Sequence, residues 1–221
     1  RLVKEALTLT QEARVLLESK PDFALGGIRD VRPLGERAAR GVTLQPEDIL
    51  KVRNTLMGAA RVRRVLTRLE TQFPGLADIA WRVKSLPDLV GAIDKVLDDR
   101  GEIRDNASPE LARIRHDLRV TQDRVQDRLQ GLINSREVAP YLQEALVTRR
   151  SGRFVIPIQS DFKGRVEGII HDRSSSGATI FLEPAQVVEM NYALRELQIE
   201  EEDEIIRLLR MLTARIGNAR D

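Results

Sequence analysis

The chain of 221 residues contains no cysteine. That excludes a disulfide framework and a thiolate metal site, and it fits a reducing, cytoplasmic setting. No apolar run approaches the roughly 18 to 20 residues needed to cross a membrane, and no signal peptide opens the chain. Aromatic residues make up only 4% of the sequence. Glycine-rich phosphate loops are missing as well: neither Gly-Lys-Ser/Thr nor Gly-x-Gly-x-x-Gly occurs. The only histidines, His116 and His171, fall in different elements. They form no His-Glu-x-x-His pair, and neither lies in a recognisable nucleophile elbow. The expectation for this stretch of polypeptide is a non-catalytic role, with no cofactor and no metal of its own.

What the chain does have is 42% hydrophobic and 32% charged residues, rich in Leu, Arg, Glu and Ala. That balance suits long helices. With 36 basic and 34 acidic residues the net charge is only +2, so partners must be read from where the charges fall. Leu2, Ala6, Leu9, Ala13, Leu16 and Leu17 follow helical spacing before Pro21 and Gly26-Gly27 break it. The pattern predicts a short helix over 31–40 and a longer one from Pro46 to about Thr71, ended by Pro74-Gly75. Short helices follow near 76–83 and 87–99. Ser108-Pro109-Glu110-Leu111 reads as a helix start, a capping serine before a first-turn proline. Leu111, Ile114, Leu118, Val125, Leu129 and Leu132 then lie near heptad spacing, interrupted at Thr121 and Arg128. A helix running to Ser135 has a length of about 42 Å, which suggests a projecting arm. Both ends of the chain fall inside helical patterns, so both are expected to be cuts through a longer protein.

The texture changes near Glu144. Four short β-type runs follow, at 146–148, 154–158, 168–171 and 178–182, separated by Ser151-Gly152, Lys163-Gly164 and Ser174-Ser175-Ser176-Gly177. They predict a small antiparallel sheet. Helical spacing returns after Pro184, through Val187, Met190, Leu194 and Leu197 and again through Ile205, Leu208 and Leu212. Two long helices flanking a sheet are expected to pair antiparallel, with the sheet at the tip. The acidic run Glu200–Glu204 between the two apolar stretches is a solvated face, or a partner for Arg115, Arg119 and Arg124.

Six basic residues, Arg149, Arg150, Arg153, Lys163, Arg165 and Arg173, stand against Asp161, Glu167 and Asp172 in the sheet segment, a local net charge of +3. On hairpin tips such residues face a phosphate backbone without reading bases, with Ser174 and Ser175 adding hydroxyl and backbone donors. The alternative is that they keep sheet edges soluble and unpaired. His171 alternates with apolar neighbours, which favours a structural role over phosphate contact. Phe154 and Phe181 read as core residues, whereas Phe162, in a loop, is the better candidate for stacking on a base.

At the sheet segment the sequence resembles the second bacterial MutS subfamily. The resemblance rests on Arg153-Phe154-Val155-Ile156-Pro157, on Gly168-Ile169-Ile170-His171-Asp172, and on the run from Ser174 through Glu183-Pro184. Asp98-Asp99-Arg100-Gly101-Glu102-Ile103, Ala107-Ser108-Pro109-Glu110-Leu111 with Ile114-Arg115, and Gly26-Gly27-Ile28-Arg29-Asp30 are similar to other parts of that family. The resemblance implies a mostly α fold: a helical core, long antiparallel lever helices and a small antiparallel β clamp. In this chain these fall at 1–107 for an N-terminally truncated core, 108–143 and 185–221 for the lever and its return, and 144–184 for the clamp. It also implies a longer protein with an ATPase domain using ATP and Mg, a C-terminal nuclease domain and a homodimer. Its expected partners are duplex or branched DNA, with suppression of recombination as the role. Binding of a collided ribosome through ribosomal RNA is the rival reading, and a purely structural coiled-coil arm is a third. No membrane partner is expected.

Overall fold

The computed structural model describes residues 2–220, so the two terminal residues lie outside it. The fold is mostly α with a small antiparallel sheet. Among the described residues there are seven α-helices: α1 (Leu2–Ser19), α2 (Arg32–Ala39), α3 (Pro46–Arg68), α4 (Pro74–Trp81), α5 (Pro87–Val96), α6 (Pro109–Ile133) and α7 (Val188–Asn218). Between α6 and α7 come β1 (Thr148–Arg150), β2 (Arg153–Gln159), β3 (Gly168–Arg173) and β4 (Thr179–Pro184). The chain divides into two compact units, Arg1–Ala107 with Ile206–Asp221, and Ser108–Ile205.

Proline punctuates the helices. Each of α2 through α6 carries one in its first turn, where the missing N–H has no intrahelical partner to lose. Pro74 therefore opens α4, while α3 has already stopped at Arg68. In the first unit, Glu12 of α1 accepts from the backbone N–H groups of Gly75 and Leu76 at 3.2 and 2.9 Å, satisfying two orphan donors at the start of α4. Leu16, Leu66, Phe73 and Ala80 bury against one another there. The fifth helix ends three residues earlier than its spacing predicts. The cause is Asp98, whose carboxylate accepts from the N–H groups of Arg100 and Glu102, both at 2.9 Å, and turns the chain.

In the second unit, Ser108 caps α6 as its sequence predicts, accepting from Leu111 N at 3.0 Å. Its hydroxyl also donates to Glu204 at 2.6 Å. Arg113 reaches Glu200 at 3.1 Å and Arg115 reaches Glu201 at 2.7 Å. The partner of Ser108 lies at 204 on α7 and those of Arg113 and Arg115 lie earlier, at 200 and 201, the order of an antiparallel pair. Arg113 takes the place expected for Arg119 and Arg124, which lie exposed further along.

The sheet order is β1-β2-β4-β3, all antiparallel. Phe154, Ile156, Ile158, Ile180 and Leu182 bury one face against Val125, Leu129 and Ile133 of α6 and Leu194 of α7. Fully burying side chains of this size contributes about 1.5 to 3 kcal/mol each, which is what fixes the sheet on the helices. The first strand lies two residues later than the apolar run at 146–148 predicts. Leu142 and Gln143 already occupy the edge beside Pro157 and Ile158, and the Gln143 N–H donates to Pro157 O at 2.9 Å. The chain leaves the sheet between 144 and 147, and Leu146 is exposed.

Candidate nucleic-acid interface

Strand register divides the eight candidate residues between two ends of the sheet. The β1–β2 hairpin turns through Ser151 and Gly152 at φ of 51° and 78°, a pair of left-handed residues that matches the strand twist. It sits at the end where β3 begins and β4 finishes. The Ser174–Gly177 turn is at the other end, about 20 Å away along the strands at roughly 3.3 Å per residue.

The hairpin arginines are all engaged. Arg149 lies over the Phe154 ring at 4.2 Å from its centroid. Arg150 lies 3.9 Å over Phe181, and its Nε is 3.3 Å from Asp172 Oδ2. Arg153 lies 4.3 Å over Tyr192, and its Nη1 donates to Glu183 Oε1 and Oε2 at 3.0 and 3.3 Å. Of the three, Arg149 is the one that is mainly exposed.

Lys163, Arg165 and Arg173 are exposed and make no ion pair among the described residues. Gly164 and Gly177 hold the local turns at φ of 87° and 75°. Ser160 Oγ donates to Gly177 O and ties the Lys163 loop to the serine turn. Arg165 lies further along the same loop, on its way to β3. Ser174 spends its hydroxyl inside the turn, accepting from Thr179 N at 3.0 Å. Ser175 is exposed. Phe162 is less open than its loop position suggests: it packs 5.2 Å from Tyr141, centroid to centroid, and against the sheet core.

At the hairpin end the structure adds residues that spacing did not single out. Glu183 is fully buried. Besides Arg153, its carboxylate receives Asn191 Nδ2 at 2.7 Å and meets His171 Nε2 at 2.5 Å. Donors from β2, β3 and α7 thus converge on one carboxylate of β4, so His171 has the structural role its alternation favoured. Asn191 also accepts from Phe154 N and donates to Phe154 O, both at 3.1 Å. Opposite Phe154 the β4 strand has reached Pro184, which has no N–H to give. The Asn191 carboxamide continues the ladder in its place. The available signal was a carboxylate at the end of an apolar strand, Ile180-Phe181-Leu182-Glu183, since a charge in such a place is paired when buried.

Among the described residues no three His, Cys, Asp or Glu side chains gather as a metal site, and no helix is long and apolar enough to cross a membrane.

Paired long helices carrying a small sheet with exposed cations on its loops define the kind of region seen here, and sequence comparison finds it similar to one segment of MutS-type proteins. No family model matches the chain. It is 43% identical over 218 residues to a protein named endonuclease MutS2 from Thermomicrobium roseum. It is 40% identical over 212 residues to one of that name from Symbiobacterium thermophilum, and 38% over 208 residues to one from a Geobacillus species. These matches cover 97%, 96% and 93% of this chain but 27%, 26% and 26% of the relatives. The chain spans about a quarter of the length of the curated relatives it matches, and along nearly all of its own length it is a homologue of one segment of MutS2.

Proposed function

We propose that residues 144–184 act as a nucleic-acid clamp, carried by lever helices at 108–143 and 185–221 on a helical core at 1–107. The observation that carries this reading is the set Lys163, Arg165 and Arg173 with Ser175: exposed on a sheet loop, at the end of β3 and in the serine turn, the three cations making no ion pair among the described residues. Such groups hold phosphates without reading sequence. In the whole protein, ATP and Mg bound elsewhere would move the lever and close the clamp on duplex or branched DNA, in the service of suppressing recombination. The relatives' name, endonuclease, supports a nucleic-acid substrate for the full-length protein. Arg150 and Arg153, occupied by their own carboxylates, support the sheet in this reading, and Arg149 stands beside them as an accessory cation.

The test is fluorescence anisotropy of the 221-residue chain with a four-way DNA junction, a plain duplex and a ribosomal RNA hairpin, across a salt series. The triple variant Lys163→Glu, Arg165→Glu, Arg173→Glu is expected to weaken binding and to flatten the logarithmic salt slope by about 3, near one phosphate contact per cation. Unchanged binding in that variant refutes the reading. An RNA hairpin bound far above both DNAs moves the target to the ribosome. No binding at low salt, with a dimer by light scattering, leaves a structural arm.

A further inference from the structure

Tyr192 follows Asn191 on α7, and half of its surface is exposed. The Arg153 guanidinium covers one face of its ring, 4.3 Å from the centroid. That guanidinium is held from behind by the fully buried Glu183, and the Arg153 side chain is only 20% exposed. The tyrosine is therefore backed by a fixed cation, and what it offers to solvent is its other face and its rim. An aromatic side chain already held in place loses little freedom when a flat ligand settles on it. Glu189 and Glu196 lie about a turn to either side on α7, with Arg195 between Tyr192 and Glu196. The two carboxylates oppose a phosphate at the ring itself and leave a planar group without charge as the suitable occupant. Cations suited to the connecting phosphates stand on the sheet, Arg149 among them.

We infer that Tyr192 is a stacking platform for an unpaired nucleobase, with Glu183 and Arg153 as its positioning residues. A continuous duplex keeps its base faces inside its own stack and has none to give. The platform therefore favours single-stranded segments or open branch points, of DNA or RNA, over plain duplex. This rests on the nucleic-acid reading above and names the structural class of strand that reading would select.

The test is anisotropy with a short oligothymidine, a short oligouridine and a blunt duplex. Tyr192 is half exposed and is not a member of the buried sheet cluster, so its variants are expected to keep the fold, which far-UV circular dichroism checks. Tyr192→Ala is expected to weaken single-strand binding by about fivefold to a hundredfold, the reach of one base–aromatic stack, and to leave duplex binding unchanged. Tyr192→Phe and Tyr192→Trp restore it. A Tyr192-dependent loss with the thymidine strand alone assigns the platform to DNA, and with the uridine strand alone to RNA. Equal binding by Tyr192→Ala and the parent overturns the stacking inference. So does an equal loss on strand and duplex. If the triple loop variant still weakens all ligands, the clamp reading survives that failure; if the parent binds nothing, both fall.

Discussion

Replacing Glu183 by glutamine is the sharpest perturbation of the sheet. The side chain keeps its size and one acceptor oxygen but turns an NH2 group toward donors. Glu183 is fully buried, and three donors from three elements converge on it: Arg153, His171 and Asn191. Removing one partner of a buried ion pair costs about 3 to 5 kcal/mol, because the other charge stays behind without compensation. Arg153 retains 20% side-chain exposure, so water recovers part of its solvation and the lower end, about 3 kcal/mol, is expected. Against a total stability of about 5 to 15 kcal/mol that is a large loss. Urea unfolding followed by far-UV circular dichroism at neutral pH measures it. The double variant Arg153→Met, Glu183→Leu removes both charges and is expected to recover a substantial part of what Glu183→Leu alone loses, since no guanidinium is then stranded. A Glu183→Gln variant within about 0.5 kcal/mol of the parent, the usual effect of a surface substitution, refutes the claim that this carboxylate organises the sheet.

Two further outcomes follow from particular side chains. A Cβ at Gly168 meets the Glu183 backbone carbonyl inside van der Waals distance, whereas one at Gly131, exposed in the last turn of α6, meets nothing within 4 Å. Gly168→Ala should lower the urea midpoint markedly and Gly131→Ala should raise stability by about 0.5 to 1 kcal/mol; the reverse order contradicts the backbone described here. At low pH, Asp30 is held down to about 2 from the ordinary 3.8, first by the Arg32 guanidinium and then by the Arg32 backbone N–H. Hydrogen bonds from Lys51, Glu102 N–H and Arg113 depress Asp48, Asp98 and Glu110 in the same direction. Carboxyls lowered by folding contribute stability that is complete above about pH 5 and is lost as pH falls through their folded values. Urea midpoints should therefore drop between about pH 5 and 2, Asp30→Asn should flatten the lowest part, and added salt should shrink the effect at these exposed sites.

Much of the fold was legible because proline and apolar spacing mark it locally. Ser108-Pro109 announced α6 to the residue, and Pro46 and Pro87 announced α3 and α5. The strands were visible as β-branched runs, but the edge of β2 was shared out by a contest that sequence does not display: Leu142 and Gln143 took the pairing that Leu146 and Val147 would have made. The candidate interface was legible as composition only. Six basic residues look like one patch in the sequence, yet register sends three to the hairpin end and Arg173 to the opposite turn. Asn191 gave no sign of its role, because a polar residue in a long charged helix looks like surface until the strand it completes is known.

The bond between Asn191 and Phe154 makes α7 a member of the sheet for the length of one side chain. A helix advances its side chains by about 100° per residue, so a twist of α7 by a single position would swing the carboxamide out of reach. Both Phe154 backbone groups would then face a buried site without partners. The strand and the helix are geared together at that tooth: turning one without the other strips two hydrogen bonds, and the cheaper motion is for the hairpin to turn with the helix.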